Sequence, residues 1–411
     1  MKLIEATSRR AVERLFQQHR ERDRALERRV RTIVETVRRG GDRAVIRYAR
    51  RFDGLRGPLE ITPEQIAAGA REASRAVRDA INVAARHIRT VARAQLPASR
   101  LVRVADGLTV EQRVTPLDRV GCYVPGGRYP LPSSLLMTAI PARVAGVREV
   151  IAVCPRAGPA VLAAAAEAGV TRLFRVGGAH AIAALAYGTA SIPRVDKIVG
   201  PGNRYVAAAK ALVSSDCAID FHAGPTEVVI VSDEAPPAWI AADLLAQAEH
   251  DPDARAILIT TRRDLAVKVR RELAARMPEG GPARSALDAH GAIVITRNRA
   301  DAVALANRLA PEHLLCDDEE VAAAITCAGT IFVGPGTVPA AGDYATGSNH
   351  VLPTAGAARF RGGLSSADFV RVIALQRMTA RALARLAGPV ITLARAEGLN
   401  AHAASVEARL A

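Results

Sequence analysis

The sequence predicts an α/β protein built from two parallel-sheet units. Apolar runs of strand length alternate with Ala-rich helical stretches in two successive sets. The runs are almost continuously apolar, as strands covered on both faces must be. With 411 residues, 49% of them hydrophobic, the chain can bury a large core shared among several domains. Aromatics make up only 3%, so that core must be assembled mostly from Ala, Val, Leu and Ile.

Residues 1–97 read as a helical N-terminal segment. RALERRVRTIVETVRRGGDRAVIRYARRFDG carries apolar residues at helical spacing, broken at Gly40-Gly41-Asp42. From about residue 109 the stretch TVEQRVTPLDRVGCYVPGG is extended and punctuated by Pro and Gly. The first alternating set has strands at 149–155, 172–178 and 196–202, each followed by a helix, near 159–169, 179–188 and 203–214. The second set has strands at 227–233, 256–261, 292–297 and 330–336, with helices near 238–250, 263–276, 300–309 and 319–327. From about 367 the chain is helical again. The expected organisation is a helical segment (1–97), one α/β domain from 98–117 and 227–365, a second from 118–226, and a helical tail (366–411).

Composition narrows the function. There is no stretch of about 18 apolar residues, so no membrane span is expected. The N-terminus lacks an apolar signal core and is rich in charge of both signs, which places the protein in the cytoplasm. The net charge of +15 invites a nucleic-acid partner. However, the basic residues are spread along amphipathic helices, and aromatics for base stacking are scarce, so no nucleic-acid partner is expected. Lys occurs only at positions 2, 197, 210 and 268, and every other basic residue of this class is Arg. The five cysteines are widely spaced without a CxxC pair, which fits neither a disulfide framework nor a Cys-rich zinc site.

The chemistry concentrates in a few short strings. LLAQAEHDPDA sets Gln247 and His250 three apart in a helical stretch, facing one side. Alone, such a pair reads as a solvated helix end. AAGDYATGSNHVLPT holds Asp343 in a Gly-rich stretch read as a loop, with His350 seven residues on. AEGLNAHAA holds His402 five residues after Glu397. One carboxamide, one carboxylate and two imidazoles make four donors, enough for a divalent ion such as zinc. LAPEHLL adds Glu312 beside His313, an acid and a base that converge if the backbone bends there. GPGNRYV (200–206) follows a strand and opens a helix, but Tyr205 stands at the third glycine position of a dinucleotide fingerprint. Backbone amides at that helix start, or after CYVPGG and FRVGGAH, can still hold a pyrophosphate.

These strings resemble the histidinol dehydrogenase family over roughly nine-tenths of the chain. The most specific pieces are RVTPLDRVGCYVPGGRYPLPSSLLMTAIPARVAGV, VDKIVGPGN, AGPTE, LLAQAEH, LAPEHL, GDYATGSNHVLPT and AEGLNAHA, in that order. The resemblance implies two incomplete Rossmann-like parallel-sheet domains with smaller helical pieces. It implies a zinc enzyme, one ion per subunit, that oxidises L-histidinol to L-histidine through histidinal with two NAD, the last step of histidine biosynthesis. By motif, Gln247, His250, Asp343 and His402 would be the zinc ligands, and Glu312 and His313 the catalytic pair. Substrate contacts would come from Thr226, His313 and Glu397 together with the ligands Gln247, His250, Asp343 and His402. Cofactor contacts would come from Tyr123, His180 and Asn203 in the second α/β domain. The family is homodimeric with an intertwined tail, so Glu397 and His402 would serve the other subunit's site.

The chain departs from that pattern at three points. His180 stands where Gln is expected, the segment after Cys154 is short, and Thr226 replaces a common Ser. The alternatives are a related zinc- and NAD-dependent alcohol dehydrogenase acting on another small polar diol, a zinc hydrolase, and a basic nucleic-acid scaffold.

Overall fold

The computed structural model describes residues 1–17, 23–126, 131–222 and 224–410. Its strands are, in chain order, β1 (Lys2–Glu5), β2 (Glu60–Ile61), β3 (Arg100–Ala105), β4 (Leu108–Pro116), β5 (Arg119–Tyr123), β6 (Glu149–Val153), β7 (Arg172–Phe174), β8 (Lys197–Val199), β9 (Ala218–Ile219), β10 (Glu227–Val231), β11 (Arg255–Thr260), β12 (Ala292–Ile295), β13 (His313–Cys316), β14 (Thr330–Val333) and β15 (Val370–Met378). They form two six-stranded sheets and one three-stranded sheet.

The first large sheet has the order β1-β12-β11-β10-β13-β14 and is parallel throughout. Every residue of β10, β11, β12 and β13 is buried, which is why these strands read as unbroken apolar runs. Alternate residues serve opposite faces. Val228 and Ile230 pack with the helices Pro237–Ala248, Arg263–Arg276 and Pro282–Ala289. Val229 and Val231 pack with Arg299–Leu309 and the N-terminal helix Arg9–Gln17.

The second large sheet has the order β2-β7-β6-β5-β8-β9, parallel except for the edge strand β2. Its faces are covered by Arg75–Gln95, Pro132–Val144 and Pro159–Ala168 on one side. Arg24–Tyr48, Gly178–Tyr187 and Arg204–Val213 cover the other. In both large sheets the chain runs outward through three strands and then crosses back to the opposite side of the first. Each therefore has a switch in strand order at its carboxyl edge, between β10 and β13 and between β5 and β8.

Three expectations are corrected. Residues 1–97 are not wholly helical and form no unit of their own: β1 edges the first sheet, β2 edges the second, and the long helices cover the second. Residues 100–116, expected with the first α/β domain, instead form β3 and β4, which pair antiparallel with β15. The tail is accordingly not all helix, since β15 precedes its two helices, Ala380–Ala396 and Asn400–Glu407. β15 escaped notice because VRVIALQRM lacks turn signals and is exposed on both faces, so it shows no burial period. Among the described residues no helix is long and apolar enough to cross a membrane.

Candidate active site

The acid–base string lies at the amino edge of the first sheet, where β10 and β13 begin side by side. His313 opens β13, and Glu312 sits in the bend before it. That bend lets both side chains face the same way. His313 Nδ1 lies 3.6 Å from Glu312 Oε2, and both residues are nearly sealed from solvent, 4% and 7% exposed. Glu312 Oε2 accepts from the Thr226 hydroxyl at 2.5 Å and from the Glu227 backbone N–H at 2.8 Å. The side chain of Glu227 is held by Arg255 at 3.2 Å and leaves the cluster to Glu312.

Gln247 reaches this cluster from the last turn of its helix, its amide N–H2 donating to the Thr226 hydroxyl. With the nitrogen engaged, the amide oxygen meets no protein donor among the described residues. His250 lies just past the helix end, exposed, rather than within the helix as its spacing implied. Asp343 sits in a short helix, Pro339–Tyr344, and not in the expected loop. Its Oδ1 lies 3.4 Å from His313 Nε2, so His313 is bracketed by two carboxylates. The turn after Asp343 is held by Gly347 at φ +93°, where a Cβ would meet the His87 carbonyl oxygen at 2.6 Å.

The charges here are strongly coupled. Burial alone pushes His313 towards the neutral form, but Glu312 and Asp343 outweigh it and raise its pKa to about 10. Burial likewise works to raise Asp343, yet the His313 bond and the positive fields of His313, His350 and His250 leave it below the ordinary carboxylate value. His350 is driven down mainly by burial. Its Nδ1 meets the Asp343 carbonyl at 2.8 Å, and its Nε2 lies 3.3 Å from the Ser134 hydroxyl. Ser134 belongs to the helix that follows β5, so His350 ties the acid–base cluster to the second sheet. Asn349 adds a bond to the Met137 carbonyl at 2.6 Å, and Thr354 accepts from the Gly224 N–H at 2.5 Å.

His402 and Glu397 stand apart. Both are exposed on the tail, and neither side chain has a hydrogen-bond or ion-pair partner among the described residues. Consistent with this, no group of three or more His, Cys, Asp and Glu side chains poised for a metal forms among the described residues of one chain. Thus the structure brings together Thr226, Gln247, Glu312, His313 and Asp343, and it leaves His402 and Glu397 outside.

The three expected cofactor residues lie at the carboxyl edge of the second sheet, near its switch. Asn203 caps its helix, its side-chain oxygen accepting from Tyr205 N and Val206 N. The Tyr123 hydroxyl accepts from Gly178 N at 3.0 Å, and burial raises its pKa. His180 is buried with Nε2 2.9 Å from the Asp53 carboxylate, which also accepts from Gly177 N at 3.0 Å. These bonds engage Gly178 N at one helix start and Tyr205 N and Val206 N at the other, so each start is braced by a side chain of the protein. Asp53 was missed as part of this cluster, although it lies in the RRFDG string; nothing local marks it as facing a turn 124 residues on. Residues 127–130, beginning with the last glycine of CYVPGG, lie outside the described residues.

Two doubly wound sheets, with a desolvated acid–base pair at the edge of one and glycine turns at the switch of the other, define an α/β enzyme assembled from two Rossmann-like halves. A family model described as histidinol dehydrogenase matches residues 16–410. The chain is 48% identical over 396 residues to the histidinol dehydrogenase of Thermus thermophilus, covering 94% of this chain and 95% of that protein. It is 45% identical over 391 residues to that of Methanothermobacter thermautotrophicus, covering 92% of each. A crystal structure of histidinol dehydrogenase from Elizabethkingia anophelis superposes with a TM-score of 0.94 at 32% identity, over 100% of this chain and 98% of that one. The chain belongs to the histidinol dehydrogenase family and is an oxidoreductase.

Proposed function

We propose that the protein is a cytoplasmic, zinc- and NAD-dependent homodimer. It oxidises L-histidinol to L-histidine in two steps through histidinal, completing histidine biosynthesis. The observation that carries this reading is the continuous chain from Gln247 through Thr226 to Glu312, with His313 held between Glu312 and Asp343.

Gln247, His250 and Asp343 fit a zinc ion in donor chemistry, and the unengaged amide oxygen of Gln247 is the feature a metal explains. His402 of a second copy would supply the fourth donor. Two observations support the second copy. The side chains of His402 and Glu397 have no partner among the described residues of their own chain. The small sheet exposes Leu101, Val104, Val372 and Ile373, and the tail helix exposes Leu393, at 46–66% each. Bound zinc would grip the amine and imidazole of histidinol and offset the carboxylates around His313, while bound NAD would supply the hydride acceptor.

The chain's own groups then divide the work. With those carboxylates offset by the cation, the His313 imidazole would be neutral and would take the proton from the alcohol oxygen as the carbon bearing it is oxidised. Glu312 activates water for attack on the aldehyde, held for that by Thr226 and the Glu227 amide. Glu397 would accept a hydrogen bond from an N–H of the bound substrate. Tyr123, His180 and Asn203 mark the cofactor side. The other sheet's switch is occupied differently: Asp233 accepts from Thr260 and Thr261, and Asp317 from Ser232, so two carboxylates line it beside Arg299. Two carboxylates there disfavour a dinucleotide phosphate.

The test is stoichiometry. Zinc-loaded enzyme with limiting L-histidinol should yield about two NADH per substrate, as the sequential oxidation of alcohol and aldehyde requires. A yield of one, or no turnover, contradicts the proposal.

A further inference from the structure

The sequence uses Arg almost exclusively, so each of its four lysines is a place to ask why Arg would not serve. Lys210 gives the clearest answer. It lies on the helix Arg204–Val213 with its side chain 2% exposed, facing an Asp220 carboxylate that is 1% exposed. Its ammonium donates to Asp220 Oδ1 at 2.6 Å and to the Gly200 carbonyl at 2.7 Å. Asp220 Oδ2 in turn accepts the Gly200 N–H at 2.8 Å, and Oδ1 also accepts from Phe221 N at 2.7 Å. Both polar groups of Gly200 are thus held by the two halves of one buried ion pair.

Gly200 needs holding. Its φ is +114°, and a Cβ there would lie 2.2 Å from the Tyr123 carbonyl oxygen. It is the point where the loop after β8 presses against the end of β5, across the strand-order switch. Tyr123 lies on one side of that contact, and Asn203 lies three residues beyond it. A compact ammonium fits between two oxygens at these distances, whereas a planar guanidinium spreads its donors over a wider fork. Asp220 is tied further, its carbonyl accepting from Arg361, whose guanidinium stacks over Phe221 at 4.8 Å.

We propose that Lys210 and Asp220 are positioning residues for the cofactor: they lock the Gly200 peptide so that Tyr123 and the Gly200–Asn203 turn form a fixed edge before NAD arrives. This rests on the reading that NAD binds at the β5/β8 switch. Neither residue touches the cofactor, and both act through the Gly200 backbone.

The experiment begins with calorimetric titration of NAD into the zinc-loaded wild type. Absence of binding there would refute the NAD reading itself, separately from this inference. Lys210→Arg and the neutral double variant Lys210→Met/Asp220→Asn are then compared. The double variant removes the unpaired charge that a single change would leave buried. The expected result is an NAD Kd raised about tenfold or more in both, with L-histidinol binding in the absence of NAD within about twofold of wild type. An NAD Kd within about twofold of wild type, or equal weakening of both ligands, would overturn the inference. Hydrogen exchange on the wild type decides the matter even if a variant does not fold. The Gly200 amide should exchange equally slowly with and without NAD, and slow exchange appearing only with NAD would show that the turn is not preformed.

Discussion

Replacing Thr226 by Val removes one hydroxyl and keeps the branched shape, so it isolates the bond on which the acid–base pair depends. That hydroxyl donates to Glu312 at 2.5 Å and accepts from Gln247. A hydrogen bond to a desolvated charged group contributes about 1.5–3 kcal/mol. Glu312 would keep only the Glu227 N–H at 2.8 Å, and the Gln247 amide would lose the acceptor that turns its oxygen outward. At about 1.4 kcal/mol per decade, the loss corresponds to a fall in kcat/KM of about 10–100-fold. Thr226→Ser keeps the hydroxyl and should stay within about threefold. The assay is steady-state NADH formation from L-histidinol, with zinc content and circular dichroism confirming loaded, folded protein. Val and Ser variants falling equally, or a Val variant within about twofold of wild type, would refute the reasoning.

Two further predictions concern the cluster's surroundings and its completion. Asp243 is half-buried on the Gln247 helix, and burial raises its pKa to about 6. A raised carboxyl pKa means the charged form is the disfavoured one in the fold, so the penalty is absent below about pH 4 and complete above about pH 6. Asp243→Asn should therefore be more stable than wild type by about 1–2 kcal/mol at pH 7.5, after discounting for partial exposure, and equal to it at pH 4 by urea unfolding. A difference independent of pH would contradict this. If the tail completes the neighbour's site, His402→Ala and His313→Ala, each inactive alone, should regain about a quarter of wild-type activity when mixed through refolding, since half the dimers are hybrid and each has one intact site. No recovery would place His402 in its own subunit's site.

The parts of the fold legible in the sequence were those with short-range signatures. The β10, β11, β12 and β13 runs were visible because strands buried on both faces must be apolar throughout. Glu312 and His313 were visible because an acid and an imidazole beside a proline-marked bend are chemically distinctive. The pairing of β4 with β15 was not, because it joins residues more than 250 positions apart and neither strand has a buried face to impose a period. Asp343 was misread as a loop residue because GDYATGSNH is rich in turn formers, while the short helix is started by Pro339 ahead of them. Asp53 and Asp220 carried no local mark at all. Their roles exist only where the chain brings them against the Gly177 and Gly200 turns.

The proposed site requires one cation at the amino edge of the first sheet, with its shell completed by a second copy of the chain. Anomalous diffraction at the zinc absorption edge from crystals of the zinc-loaded dimer tests this directly. The predicted result is a single peak per subunit, about 2.0–2.2 Å from the Gln247 amide oxygen, a His250 nitrogen and an Asp343 carboxylate oxygen of one protomer and an imidazole nitrogen of His402 from its neighbour. A peak bound elsewhere, or one whose shell excludes Gln247 or His402, would contradict the account.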